Sequence, residues 1–259
     1  FTGLAANSLF FKIKKEDLPA LIAIGVFIIT LNITFFFEGI RRTTATDASI
    51  LTLIIPITSV LLGWWFLKEK VSLINLFGVL VGFLGAMIII GIPQIIIGAI
   101  SVEAIIGNIL IILASISFVI GAVISKKILT KYSTLVVTAV AFMVGTVTMF
   151  IPATLEYIRN PDWISEVTIL GFLGLIYMTL LSSISAYFLF EWGLSKTSVI
   201  VSNLFQYIEP FIATLLAVAI LSEKVSVSFF TGAFLIAAGV YLGTLAKEAH
   251  HRQHKAHRV

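Results

Sequence analysis

The stretch Phe36–Gly91 recurs as Phe190–Leu245, 154 residues further on and without a gap. Phe36, Gly39, Thr43 and Pro56 fall on Phe190, Gly193, Thr197 and Pro210. Glu69-Lys70-Val71-Ser72 falls on Glu223-Lys224-Val225-Ser226, and Gly78 and Gly85 fall on Gly232 and Gly239. Fourteen of 56 positions are identical. Shared apolar character alone would not bring a proline, a charged tetrad and three glycines into one register, so the chain carries an internal duplication. A repeated multi-helix membrane unit is the sequence mark of a secondary transporter, with substrate held near mid-membrane between the repeats.

Composition places the duplication in a membrane. Of the residues, 59% are hydrophobic and 12% charged, and the mean hydropathy is +1.11; a soluble domain carries about a quarter charged residues. Uncharged tracts run over Leu18–Phe37, Ala48–Leu67, Val71–Val102, Ala104–Ser125, Tyr132–Leu155, Val167–Phe190 and Val225–Ala246. Thr197–Ser222 is broken only by Glu209. Each reaches the roughly 20 apolar residues that a spanning helix needs. Gly91 and Pro93 are expected to end the third helix, leaving 94–102 as an apolar loop. The chain reads as an all-α integral membrane protein with eight complete spans. Projected backwards, the repeat predicts about one and a half further spans, roughly 50 residues, ahead of Phe1. Ten spans, five per repeat, would then make up the complete protein.

Lys and Arg collect on cytoplasmic loops. Assigning loops alternately puts Lys12, Lys14, Lys15, Lys68, Lys70, Lys126, Lys127, Lys131, Lys196, Lys247, Arg252, Lys255 and Arg258 on one side. Only Arg41, Arg42, Arg159 and Lys224 fall on the other. This predicts a protein of the cytoplasmic membrane with both termini inside. An odd number of spans per repeat inverts the second repeat relative to the first, which lets two halves exchange inward- and outward-facing shapes. The same bias accounts for the net charge of +4, so no nucleic-acid partner is expected. There is no cysteine to ligate a metal. His250, His251, His254 and His257 lie in a basic tail suited to anionic lipid, and neither a metal nor another cofactor is expected.

These residues resemble a known family. One apolar span ends in Gly39-Ile40-Arg41-Arg42-Thr43-Thr44-Ala45, the next carries Pro56 and then Glu69, and a span through Gly78, Gly82 and Gly85 follows. The second copy shows Gly193-Leu194-Ser195-Lys196-Thr197-Ser198, then Glu209-Pro210, Glu223, Gly232 and Gly239. From Leu18 to Gly243 the chain resembles the EamA-type family of the drug/metabolite transporter superfamily. The resemblance implies two inverted five-helix repeats, with about eight and a half of ten helices in this chain. Its parts are then 1–92, the first repeat; 93–103, a loop; 104–246, the second repeat; and 247–259, the tail. It implies a permease or exporter of amino acids or related small metabolites, with a multidrug, nucleoside or sugar carrier of the same superfamily as the alternative.

Within the spans, Pro56 and Pro210 each free a backbone carbonyl and predict a kink, for gating or for architecture alone. Glu209 is the acid set well inside an apolar tract, where a charge costs at least ~2.5 kcal/mol, so it is expected to face the interior or a cavity. It suits either proton coupling or a hydrogen-bonded cap on the carbonyl that Pro210 frees; Ile55 stands there in the first repeat, so symmetry demands no acid. Ser202, Asn203, Gln206 and Glu209 share a helical face, with Tyr207 on its flank. Asn32, Tyr187 and Trp192 on other spans complete a candidate substrate site of polar groups and aromatic walls. The plainer roles are interhelical hydrogen bonds, worth ~0.6 kcal/mol each, and packing. Gly78, Gly82, Gly85, Gly232, Gly239 and Gly243 let helix backbones approach closely, inside a monomer or across a homodimer. Glu69-Lys70 and Glu223-Lys224 read as helix-end anchors at turns, and Glu38 and Asp47, on either side of Arg41 and Arg42, as salt-bridged loop ends or as substrate-attracting charges.

An enzyme is not expected: no histidine precedes residue 250, and no two acids are placed as a metal or diphosphate site. No Gly-rich turn precedes a Lys-Ser/Thr, so ATP-driven pumping is unsupported as well. The expected function is secondary active transport of a small-molecule substrate across the bilayer by alternating access, with protons as a candidate coupling ion. An uncoupled channel or structural helix bundle is the reading from a different class.

Overall fold

The computed structural model describes residues 13–43, 48, 51–90, 102–159, 161, 167–209, 212 and 230–242. Every regular element among them is a helix. In chain order they are α1 (Lys15–Ile40), α2 (Ile54–Leu67), α3 (Leu73–Ile90), α4 (Val102–Ile128), α5 (Thr134–Arg159), α6 (Ile169–Lys196), α7 (Val199–Ile208) and α8 (Phe230–Leu242). α1, α4, α5 and α6 are long and apolar enough to cross a membrane, at 26 to 28 residues each. Their large apolar side chains point outward: Val147, Phe150, Ile169 and Leu170 are all more than 70% exposed. A face of that size would drive aggregation in water and is stable against lipid tails. The chain is an all-helical integral membrane protein.

α1 and α6 hold the same place in the two repeats, and their shape extends the duplication upstream of the last identical residue. α1 is π-helical over Gly25–Leu31 and α6 over Met178–Ser185. The 154-residue offset lays the second segment on 24–31, where no residue is identical. A hydroxyl in each segment donates to the carbonyl five residues earlier, Thr30 to Gly25 at 3.5 Å and Ser185 to Leu180 at 2.8 Å. That is the spacing a π turn brings into reach, and such turns recur at functional positions.

Two compact units divide the chain: Phe1–Ile33 with Ile120–Thr197, and Thr34–Val119 with Ser198–Val259. Each takes segments from both repeats. In the first unit, α1 packs on α4 and α5 through small residues. A Cβ on Gly25 would lie 2.6 Å from Val144 Cβ, and one on Gly121 or Gly145 would collide with Ile28 or Ile29. The hydroxyls of Thr30 and Thr148 meet at 2.5 Å across the same contact. At the start of α1, buried Asp17 accepts hydrogen bonds from Lys131 Nζ at 2.6 Å and Tyr132 Oη at 2.9 Å. The hydrogen bond to Asp17 raises the Lys131 pKa above its ordinary value.

In the second unit, Val60, Val79, Leu204, Tyr207 and Ile236 join α2, α3, α7 and α8 in one apolar core. Beside it α3 crosses α8 on glycine. A Cβ on Gly85 would lie 2.7 Å from Gly232 O and 2.8 Å from Ile236 N. A Cβ on Gly239 would lie 2.7 Å from Gly78 O and 2.5 Å from Gly82 N. Under the repeat offset Gly85 is Gly239, Gly78 is Gly232 and position 82 is position 236. Each half of the crossing therefore repeats the other with the roles exchanged, which is the signature of a two-fold axis between the helices.

Gly239→Ala is expected to destabilise the protein by about 1–3 kcal/mol through overpacking, read as a lower thermal-unfolding midpoint in detergent. A Cβ on Gly193 would meet nothing within 4 Å among the described residues, so Gly193→Ala is expected to leave that midpoint in place or raise it. Equal effects of the two variants would contradict the crossing.

Candidate functional site

α7 carries three of the seven candidate substrate residues, with Glu209 next after its last residue, and its position is fixed at its first turn. Ser198 caps it, its Oγ accepting from Val201 N–H at 3.1 Å. Glu69 completes the cap from the turn after α2, accepting from Val199 N–H at 2.8 Å and Ile200 N–H at 3.4 Å. The acid is brought there by Lys68, whose φ of 55° reverses the chain, and by Glu69 N–H donating to Gly63 O at 3.1 Å. A Cβ on Gly63 would lie 2.9 Å from Glu69 Oε2, so a side chain there would crowd the carboxylate. A negative group at a helix N-terminus satisfies orphan N–H donors and opposes the dipole. Glu69 does anchor a helix end, but the end belongs to the other repeat. Its counterpart Glu223 lies outside the described residues.

Further along α7, Asn203 is fully buried. Its Nδ2 donates to Ser59 Oγ at 2.6 Å, and Ser59 Oγ donates to Ile55 O at 2.8 Å, tying α7 to α2. Tyr207, one turn on, is fully buried as well, with its ring against Gly82. Among the described residues, Asn203 Oδ1 and Tyr207 Oη have no hydrogen-bond partner. Ser202 and Gln206 are half-buried and Glu209 is exposed. The polar face expected of α7 is thus graded: Asn203 looks into the core, Ser202 and Gln206 lie at its edge, and Glu209 points outward. Tyr207, expected on the flank, shares the buried side with Asn203.

The remaining candidates belong to the first unit. Tyr187 on α6 is half-buried, its ring edge-on to Phe142 with centroids 5.7 Å apart. Asn32 on α1 is half-buried, and Trp192 is 53% exposed. Pro56 is buried in the first turn of α2, and the helix breaks just before it, at Leu53, because proline offers no N–H to Thr52 O. In α7 the α-helix tightens to 3₁₀ over Phe205–Ile208, ahead of position 210. Pro210, Gly243 and the tail histidines lie outside the described residues. A cavity of 550 Å³ opens elsewhere, at the α2–α3 turn, lined by Trp64, Trp65, Lys68, Glu69, Lys70 and Val71. That mixture of Trp and Lys suits the lipid headgroup region.

Glu38 joins both Arg41 and Arg42, as expected of it, and Asp47 lies outside the described residues. Glu191 was not singled out by sequence, because it sits one residue past an uncharged tract and so resembles a loop charge. α6 runs on to Lys196, leaving Glu191 inside the helix at 3% exposure. No proline falls between Glu191 and Thr197-Ser198, and the isolated Gly193 does not by itself end a helix; that is the signal that could have shown this.

The sequence profile of the EamA-like transporter family matches residues 2–91 and 105–245. An uncharacterized transporter of Archaeoglobus fulgidus is 30% identical over 83% of this chain and 72% of its own. The uncharacterized transporter YetK of Bacillus subtilis is 27% identical over 91% of this chain and 71% of its own. A crystal structure of a protein 17% identical superposes with a TM-score of 0.74 over 94% of this chain and 80% of that one, a likeness of fold.

Glu69→Ala is expected to cost about 1 kcal/mol, the usual size of a lost helix cap, and to speed amide exchange at Val199 and Ile200 in detergent. Unchanged exchange at those two amides would mean that Ser198 holds the helix end unaided.

Proposed function

From a chain that belongs to the EamA-like transporter family, we propose a secondary active carrier that moves a small metabolite across the cytoplasmic membrane by alternating access. The observation that carries this reading is the α3–α8 crossing, in which Gly85 meets Gly232 as Gly239 meets Gly78. A two-fold relation between equivalent helices is what an inverted duplication builds, and such duplications exchange two mirror-related conformations around a central site. The same crossing occupies these glycines within one chain, which favours a monomer, or a dimer formed through another face. An amino acid or related compound is the first substrate to test. Its amino and carboxylate groups match amides such as Asn203 and Gln206 on α7. Protons are the proposed coupling ion, and the Lys and Arg bias supports cytoplasmic termini.

Counterflow in proteoliposomes tests this. Vesicles loaded with unlabelled amino acids are expected to accumulate a labelled one saturably, and Gln206→Ala to abolish that accumulation with the fold intact. A folded protein that exchanges no amino acid, but exchanges nucleosides, sugars or cationic drugs, would move the substrate assignment within the superfamily. Exchange of none of these would remove the carrier reading.

A further inference from the structure

α6 carries an acid that the substrate site does not use. Glu191 is 3% exposed, in the helix that packs on α5. Its carboxylate accepts a short hydrogen bond from Ser125 Oγ of α4. Lys126, the next residue along α4, aims elsewhere: its Nζ donates to Leu194 O at 2.6 Å and to Thr197 O, capping the end of α6. Among the described residues no ion pair reaches Glu191. The other elements packed here bring no counter-charge. α5 has no charged residue between Thr134 and Leu155, and the π segment Met178–Ser185 has none. Lys127 and Lys196 are exposed, and Tyr187 is the other titratable group on this side of α6.

An acid fixed inside a membrane helix with no ion pair among the described residues is costly to maintain for structure alone, since a glutamine would make the same contact with Ser125. The partner is informative too. A hydroxyl donates to a carboxylate and accepts from a carboxylic acid, so Ser125 can serve Glu191 in either protonation state, whereas a lysine would hold it to one. Glu191 also lies five residues before Lys196, about 7.5 Å along the helix axis, so a proton has a short path to the basic face. We propose that Glu191, paired with Ser125, is a proton-binding site that couples proton movement to transport. The proton adds to a carboxylate oxygen, converting the anion to the neutral acid, and leaves by the same bond. The coupling half of this inference rests on the carrier reading above; the proton-binding half does not.

Two measurements separate those halves. Infrared difference spectra of the purified protein, taken between about pH 5 and pH 9 without substrate, are expected to show a protonated-carboxyl band. Glu191→Gln is expected to remove it and the exposed Glu103→Gln to leave it. Spectra unchanged by Glu191→Gln would overturn the proposal whatever the protein carries. If Glu191→Gln fails to fold, Ser125→Ala keeps the carboxylate and is expected to move the band's midpoint by at least about half a pH unit; an unmoved midpoint would overturn the proposal. In proteoliposomes, an imposed pH gradient is expected to raise wild-type substrate accumulation several-fold over the no-gradient level. In Glu191→Gln that ratio is expected to fall to about one. A variant that keeps the ratio would remove Glu191 from coupling while leaving transport intact. A wild-type protein with no counterflow but a Glu191-dependent band would overturn the coupling half and the carrier reading, and support proton binding alone.

Discussion

The contact on which this architecture depends is between two backbones. Where α3 crosses α8, Gly85 lies against Gly232 and Gly239 against Gly78 and Gly82, at separations that leave no room for a methyl group. In lipid, helices gain nothing by hiding apolar surface from one another, so association relies on close packing and on the few polar groups that find partners. Glycine supplies the close packing. Because the two sides of the contact are copies, one favourable fit is made twice. A duplication of the encoding segment is then sufficient to generate a partner surface, with no second surface to evolve.

The polar contacts follow from the same constraint. A carbonyl or amide without a partner costs more in a bilayer than in water, so the ends and breaks of helices must be satisfied internally. Glu69 closes the start of α7, Lys126 closes the end of α6, and Ser59 takes the Asn203 amide. Each reaches to a helix other than the one it lies in or follows, so each both satisfies a group and fixes a distance. Pro56 and the π turns mark where the ladder is interrupted: at Leu53 ahead of Pro56, and over Gly25–Leu31 and Met178–Ser185. The π turns fall at equivalent places in the two repeats, as the duplication requires.

Much of the fold was legible because membrane helices announce themselves by length and by lack of charge, and the register of the repeat came from identical residues. The glycine positions were readable for the same reason, although which glycine meets which depends on the crossing and could not be seen. The site was less legible. Helical periodicity grouped Ser202, Asn203, Gln206 and Glu209, but the 3₁₀ turn over Phe205–Ile208 changes the period, and Glu209 is exposed while Tyr207 is buried. Glu191 was hidden by its neighbours. Counted as the end of an uncharged tract it reads as solvated, and only the continuation of α6 to Lys196 shows that it is enclosed.

Inverted duplication is the premise of the proposed carrier mechanism, and the sequence allows a direct test. The chain contains no cysteine, so single cysteines placed at Lys70 and at its repeat equivalent Lys224 report only their own positions. Labelling by a membrane-impermeant maleimide should occur from the cytoplasmic side alone at position 70 and from the opposite side alone at position 224. Labelling of both positions from one side would make the repeats parallel, and the exchange of mirror-related conformations would lose its structural basis.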